Sequence, residues 1–300
     1  MRVGLALGSG GLRGAAHIGV LMELERAGIR PDMVAGSSAG SIVATMYALG
    51  LTVREMEKIA LGVTAKDMID PIYSSLALLA MPLFLLLFGP RRRLPKGLIK
   101  GVKFEGLLEK VFGNALMTDL LMDCAVVSVD AANGDKVVFT SVPVSASRFK
   151  RTVYCNARVV DAVRASCSIP GVFAWKQWQG RQLVDGAVRE PVPARVLADA
   201  GCDFIIAVDL GYTKEEPPES MDLPTVVTQS LDILGEEVSD YVLHEYAHVV
   251  IAPRVEGAVL TDVHRIPEYI EEGRRAASAA IPEIQRSLKL KRLRARVRRT

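Results

Sequence analysis

Apolar positions along the chain follow two rhythms. Short, nearly continuous apolar runs at Arg2–Leu7, Met33–Ala35, Cys124–Val129, Lys136–Thr140 and Phe204–Val208 read as buried strands. Between them, helical spacing covers Leu12–Ala27, stopped by Gly28, and Ala39–Leu49, stopped by Gly50; it returns at Val159–Ser166 and Ala194–Ala200. Thr52–Glu55, "TVRE", is a capping box that opens a further helix, and Asn133–Asp135, "NGD", is a hairpin turn. Two short strands flank Gln179–Gly180, the second ending at Val184. Beyond the loop "EEPPES" the pattern is mostly helical apart from Val249–Ala252. Strands alternate with helices and no repeat or linker intervenes. The expected fold is therefore α/β, a central, mostly parallel sheet with helices on both faces.

One segment breaks the rhythm. Leu76–Phe88, "LALLAMPLFLLLF", is an apolar run interrupted by Pro82. As a helix it would reach about 20 Å, short of the roughly 30 Å of a bilayer's hydrocarbon core, so it does not span one. It reads as a buried helix or as a segment lying in a membrane interface. Flanking Arg91, Arg92, Arg93, Lys96, Lys100 and Lys103 favour the interface.

Charge sharpens this picture. The net charge of +3 is uneven: residues 286–300 hold eight Lys or Arg and no acid, so the rest of the chain is net acidic. A basic tail by itself suits an anionic membrane surface or nucleic acid, or is a solvated helix end; beside the basic cluster at 91–103 it points to the membrane surface, and no nucleic-acid partner is expected. Half of the residues are hydrophobic and 24% are charged, which excludes gross disorder and supports a large core. Four cysteines, at 124, 155, 167 and 202, form no CxxC pair and have no histidine at metal-ligand spacing. Neither zinc nor a disulfide scaffold is indicated, and Cys124 and Cys202 read as buried thiols. The first strand starts at Arg2 with no leader ahead of it, so the expected location is cytoplasmic, with peripheral contact at the inner face of the cell membrane.

Candidate chemistry begins at "LALGSGGLRGAAHIGV", Leu5–Val20, which packs four glycines into seven positions between a strand and a helix. Such a turn aims backbone N–H groups at an anion. The dinucleotide fingerprint G-x-G-x-x-G fails in register: counted from Gly8, its third glycine is Arg13. No GK[ST] follows, so the phosphate loop fails as well. No cofactor and no metal is expected.

Gly36–Gly40, "GSSAG", matches G-x-S-x-G with Ser38 at the centre, a strand before it and a helix after it. Ser37 and Ser41 read as helix-capping residues. A histidine to activate Ser38 is hard to find. His17 sits on an apolar helix, and His244, His248 and His264 lie in C-terminal sequence with no loop signature. Asp185, after a strand and before Gly186, is placed to face a cleft, where desolvation would make it a better base. Asp209, after the Phe204–Val208 strand, is the second choice.

The ordered set "GSGGLRG", "GSSAG", "ASCSIPGVF" (Ala165–Phe173) and "DGA" (Asp185–Ala187) resembles the patatin-like phospholipase family, over about residues 3–212. That family's loop is usually G-G-G-x-[RK]-G; here Ser9 replaces its first glycine, while Gly10, Gly11, Arg13 and Gly14 match. The resemblance implies a single α/β/α sandwich hydrolysing lipid acyl esters without calcium. It also implies Ser38 as nucleophile within the Gly36–Gly40 elbow, and Asp185 as base, followed by Gly186 and Ala187. The loop Gly10, Gly11, Leu12, Arg13, Gly14 would be the oxyanion hole. Arg13 either steadies that loop or meets an anionic headgroup. Phospholipid or another lipid ester is the implied partner, with anionic membrane contacted through 76–103 and 286–300. Leu76–Gly106 reads as an insertion or lid outside the shared motifs, and 213–300 as a mostly helical extension ending in the basic tail. The alternative is a regulatory, non-catalytic protein on the same fold.

Overall fold

A computed structural model describes residues 1–70, 97–142, 152–211, 223–254 and 262–297. The apolar run Leu76–Phe88 and Arg91–Lys96 fall outside these. The described elements are, in order, β1 (Val3–Leu7), a 3-10 turn (Gly11–Ala15), α1 (Ala16–Arg26), β2 (Met33–Ser37), α2 (Ala39–Ala48), α3 (Val53–Gly62) and the short α4 (Ala65–Met68). There follow α5 (Val102–Phe112), β3 (Asp123–Asp130), β4 (Lys136–Thr140), β5 (Thr152–Cys155), α6 (Val159–Ser166), β6 (Lys176–Trp178) and β7 (Arg181–Asp185). The chain continues through α7 (Ala194–Asp199), β8 (Phe204–Val208), α8 (Leu223–Tyr246), β9 (Val249–Ile251) and α9 (Ile266–Val297).

The strands form one mixed sheet in the order β5-β4-β3-β2-β1-β8-β9, with the β6–β7 hairpin joined to β3 through β7. The expected α/β sandwich is therefore present, and its centre, β3-β2-β1-β8-β9, is parallel. Strand β5, which pairs in parallel with β4, was not legible as a strand in the sequence. The helix expected from Leu12 begins as a 3-10 turn, because Gly10 and Gly11 bend the chain before regular α geometry starts at Ala16. The Thr52–Glu55 capping box forms as read.

Side-chain alternation divides the core in two. Leu5, Leu7, Val34, Cys124, Val126, Ile206 and Val208 face the larger layer, built mainly from α1, α2, α5, α6 and α9. The opposite face is covered by α7 and α8. There the register lines up Ala207, Ala6, Ala35 and Ala125 as one row across four neighbouring strands. A row of the smallest side chains lowers the sheet surface and lets the short α7 sit close above it, with Val196 and Leu197 fully buried.

The C-terminal part of the chain belongs to the same core. Strand β9 extends the sheet, and α9 crosses α1 with backbone against backbone. A methyl on Gly19 would collide with the Ile270 carbonyl, and one on Gly273 with the Ala16 carbonyl. Farther along, Leu288 is buried and Lys291 meets His248, just ahead of β9 at the amino end of the sheet. The close crossing yields a prediction. Gly273→Val forces two helix backbones apart, an overpacking penalty of about 3 kcal/mol, and should appear as a lowered melting temperature; an unchanged one would contradict the crossing.

Candidate active site

The sequence makes a sharp strand-to-helix turn at Gly36–Gly40. Ser38 has φ 50° and ψ −126°, a left-handed conformation that side chains disfavour, at a cost on the order of 1 kcal/mol or more. The glycines around it answer to close approach. A methyl at Gly36 would overlap the backbone of Gly40 and Ser41, and one at Gly40 would overlap the carbonyls of Leu7 and Gly8. The two flanking serines do not cap α2 through their side chains, contrary to the expectation. Ser37 is the last residue of β2, paired with Val127, and its buried hydroxyl has no partner among the described residues. The Ser41 hydroxyl turns back and donates to the Ser38 carbonyl at 2.6 Å.

Asp185 reaches Ser38 through β3. Consecutive β3 residues pair with the ends of two different strands: Val127 with Ser37 of β2, and Ser128 with Asp185 of β7. The Ser38 hydroxyl donates to Asp185 Oδ2 at 2.6 Å, and the Ala187 amide donates to Oδ1 at 2.8 Å. The Asp185 amide donates to the Ser168 carbonyl at 3.0 Å. Gly186 passes so close to Val127 and Ser37 that a methyl there would overlap both, which accounts for the glycine after the aspartate. Ser38 and Asp185 are both buried. Asp209 is elsewhere: its carboxylate accepts the Gly211 amide at 3.0 Å in the turn after β8.

The glycine loop packs beside this pair. Gly14 lies against the Ala39 side chain, one residue after Ser38, and Gly10 lies against Leu210. Gly8 donates to the Val208 carbonyl at 3.0 Å and Ser9 to the Pro191 carbonyl at 2.9 Å, tying the loop to β8 and to the segment before α7. The Arg13 amide is used inside the loop, donating to the Gly10 carbonyl at 3.1 Å. Its guanidinium bridges outward to the Gly10 carbonyl at 3.3 Å, the Gly211 carbonyl at 2.8 Å and Asp232 of α8 at 3.9 Å. His17 is fully buried and lies 2.8 Å from the Gly8 carbonyl through Nε2.

These features also mark the chain's kinship. A family model described as patatin-like phospholipase matches residues 5–198. The chain belongs to the patatin-like phospholipase family. An uncharacterized NTE family protein of Mycobacterium bovis is 29% identical over 241 residues, which are 79% of this chain and 57% of that protein. Lysophospholipase NTE1 of Candida albicans is 29% identical over 219 residues, 72% of this chain and 14% of the other. The chain thus spans little more than half of the mycobacterial relative and a small part of the Candida one. Human GIVD cytosolic phospholipase A2, solved with a fluorophosphonate inhibitor, shares the fold. Its TM-score is 0.51 at 13% identity, over 97% of this chain and 59% of that one.

In this patatin-like chain the electrostatics follow from dryness. Burial pushes the Asp185 carboxyl up to about 7, Asp232 adds a like charge, and the Ser38 and Ala187 hydrogen bonds pull the other way. Burial lowers His17 to about 4, so its ring is neutral, and the proton on Nε2 is donated to Gly8. His17 therefore holds the glycine loop in place, with no bond to the nucleophile. No sequence pattern assigns such a role to His17, nor any role to Ser166 and Ser168 within the run Ala165–Phe173. Their contacts are set by tertiary folding, and only the run's place in the family pattern marked them.

The raised carboxyl predicts a stability effect with a definite sign. An unfolded Asp titrates near 3.9, so between about pH 4 and 7 the native state holds a proton that the unfolded state has released. Stability is therefore lost as pH rises through that window, by on the order of a few kcal/mol. Asp185→Asn removes this loss. Its gain in melting temperature over wild type should grow from pH 5 to pH 8; a gain independent of pH would contradict a buried, raised Asp185.

Proposed function

We propose that the chain is a lipid acyl hydrolase in which Ser38 is the nucleophile and Asp185 the general base. The observation carrying this reading is the 2.6 Å bond from the Ser38 hydroxyl to Asp185 Oδ2 within a strained, buried elbow. Asp185 takes the hydroxyl proton as Ser38 Oγ attacks the ester carbonyl. The oxyanion is held by amides of the adjoining loop at Gly10, Gly11 and Leu12; Arg13, with its amide and guanidinium engaged inside the protein, steadies that loop. Collapse expels the alcohol, which takes the proton back from Asp185 and leaves an acyl-serine. Asp185 then deprotonates a water that attacks this ester. The second collapse frees the fatty acid and returns the proton to Ser38. The family and the lysophospholipase among the relatives support a lipid ester as substrate.

The reading has a kinetic signature. Ser38→Ala should keep its fold and lose both hydrolysis of short p-nitrophenyl esters and fluorophosphonate labelling. Persistent labelling at another serine would sink the assignment. Because Asp185 acts when ionised, kcat/KM should fall on the acid side with a midpoint near pH 7, the value to which burial raises it in the free protein.

Peripheral membrane contact is a second part of the proposal, supported by the last turns of α9. Leu290 and Leu293 are exposed there at 49% and 48%, interleaved with exposed Arg286, Lys289, Arg292 and Arg294. An apolar and cationic face of this kind suits an anionic lipid surface. Among the described residues no helix is long and apolar enough to cross a membrane. Sedimentation with phosphatidylserine vesicles should fall with salt and with neutralisation of these four cations, by about 1 kcal/mol each; salt-independent binding would contradict the electrostatic part.

A further inference from the structure

We propose that Ser166 is a positioning residue for the nucleophile: its side chain accepts the Ser38 amide and holds the elbow against Asp185. The proposal rests on the Ser38–Asp185 reading above. The Ser38 amide donates to Ser166 Oγ at 2.9 Å, in a fully buried contact between residues far apart in sequence. Without this acceptor the amide would be stranded inside a left-handed turn that already resists its side chain, so the turn would relax.

Ser166 is well mounted for this task. It ends α6, and two residues later the Ser168 carbonyl accepts the Asp185 amide. One turn of chain therefore holds the main chains of both members of the pair. That turn is itself clamped by Arg164, a buried guanidinium that donates to Ser168 Oγ at 2.7 Å, to the Gly101 carbonyl at 3.2 Å and to the Lys100 and Ala174 carbonyls at 3.0 Å. Arg164 also stacks over the Phe173 ring, 5.4 Å from its centroid. The acceptor is thus fixed from outside the site, by the segments 100–101 and 168–174. Ser166 acts on the amide of Ser38 and leaves its hydroxyl to Asp185, so its influence falls on orientation at the reacting atoms. Substrate affinity should be little affected.

The pH profile gives a second readout. The Ser38 hydroxyl is one of two groups that lower the Asp185 carboxyl against burial, the Ala187 amide being the other; Asp232 of α8 raises it. A loosened Ser38 therefore lets Asp185 rise further, and the acid limb of kcat/KM moves to higher pH. Loss of stability alone would not move that limb.

The test compares Ser166→Ala with Ser141→Ala. Ser141 makes the same kind of bond, accepting the Cys124 amide at 2.7 Å, but at the opposite end of β3 from the dyad. Hydrolysis of p-nitrophenyl butyrate, its pH profile and thermal melting are measured for each. Ser166→Ala should lower kcat about 10- to 100-fold, leave KM within about twofold and shift the acid limb upward. Ser141→Ala should lose similar stability with kcat and limb unchanged. Wild-type kcat and limb in Ser166→Ala, or an equal fall of kcat in Ser141→Ala, would overturn the proposal. If Ser166→Ala does not fold, Ser166→Cys keeps the volume with a weaker acceptor and should show an intermediate kcat with a shifted limb; wild-type values there would overturn it equally. A wild-type protein that neither cleaves the ester nor takes a fluorophosphonate at Ser38 would bring down the underlying reading along with it.

Discussion

The arrangement at the site depends on the register of one strand. Strand β3 is longer than β2, and where β2 stops at Ser37 the antiparallel β7 takes over the same edge. Val127 and Ser128, neighbours on β3, thereby bring together two chain segments nearly 150 residues apart. A slip of one residue in either pairing would turn a side chain to the wrong face of the sheet. Glycines at 36, 40 and 186 remove the side chains that would hold these backbones apart. The G-x-S-x-G and Asp-Gly patterns are therefore steric consequences of a single junction, seen at two places in the chain.

At that junction the protein keeps a carboxyl in surroundings that oppose its ionisation. Asp185 is buried, its hydrogen bonds come from a neutral hydroxyl and a neutral amide, and the nearby Asp232 carries a like charge. The arrangement lowers stability above the unfolded carboxyl's titration range, and it brings an ordinary weak base close to neutral. Loss of stability and gain in basicity are one effect. Elsewhere the protein handles buried charge differently: Lys136 and Glu190 pair in the core, with Arg195 and the Val196 amide also on Glu190.

Much of this was legible in the residues. Strand–helix alternation predicted the sandwich, and α6 and β8 fall where the spacing put them because their apolar periods are strong. Strand β5 was missed because its four residues, "TVYC", give too short a pattern to stand out. The glycine loop, elbow and Asp-Gly turn could be read because each is a local steric demand. Ser37 and Ser41 do not cap as expected because capping is inferred from type and position, whereas Ser41 turns back to the Ser38 carbonyl and Ser37 is buried at the end of β2. The supports of the site were not legible: Ser166, Ser168 and Arg164 act through bonds to backbone far away in the sequence, and His17 through a bond to the Gly8 carbonyl. No local pattern carries that information.

The absence of an imidazole from the Ser38 hydrogen bond has a consequence for how charge moves. In a serine–histidine pair, proton transfer creates a cation and an oxyanion together, and the site must stabilise both. In the cycle proposed for this chain the pair starts with one negative charge on Asp185 and ends the first step with one negative charge on the oxyanion. Nothing positive is made. A single charge is displaced across a few ångströms, and in a medium of low polarity displacement costs far less than creating an ion pair. The same dryness that raises Asp185 is thus compatible with the reaction, and donors are needed at one terminus of the path alone, where the glycine loop lies.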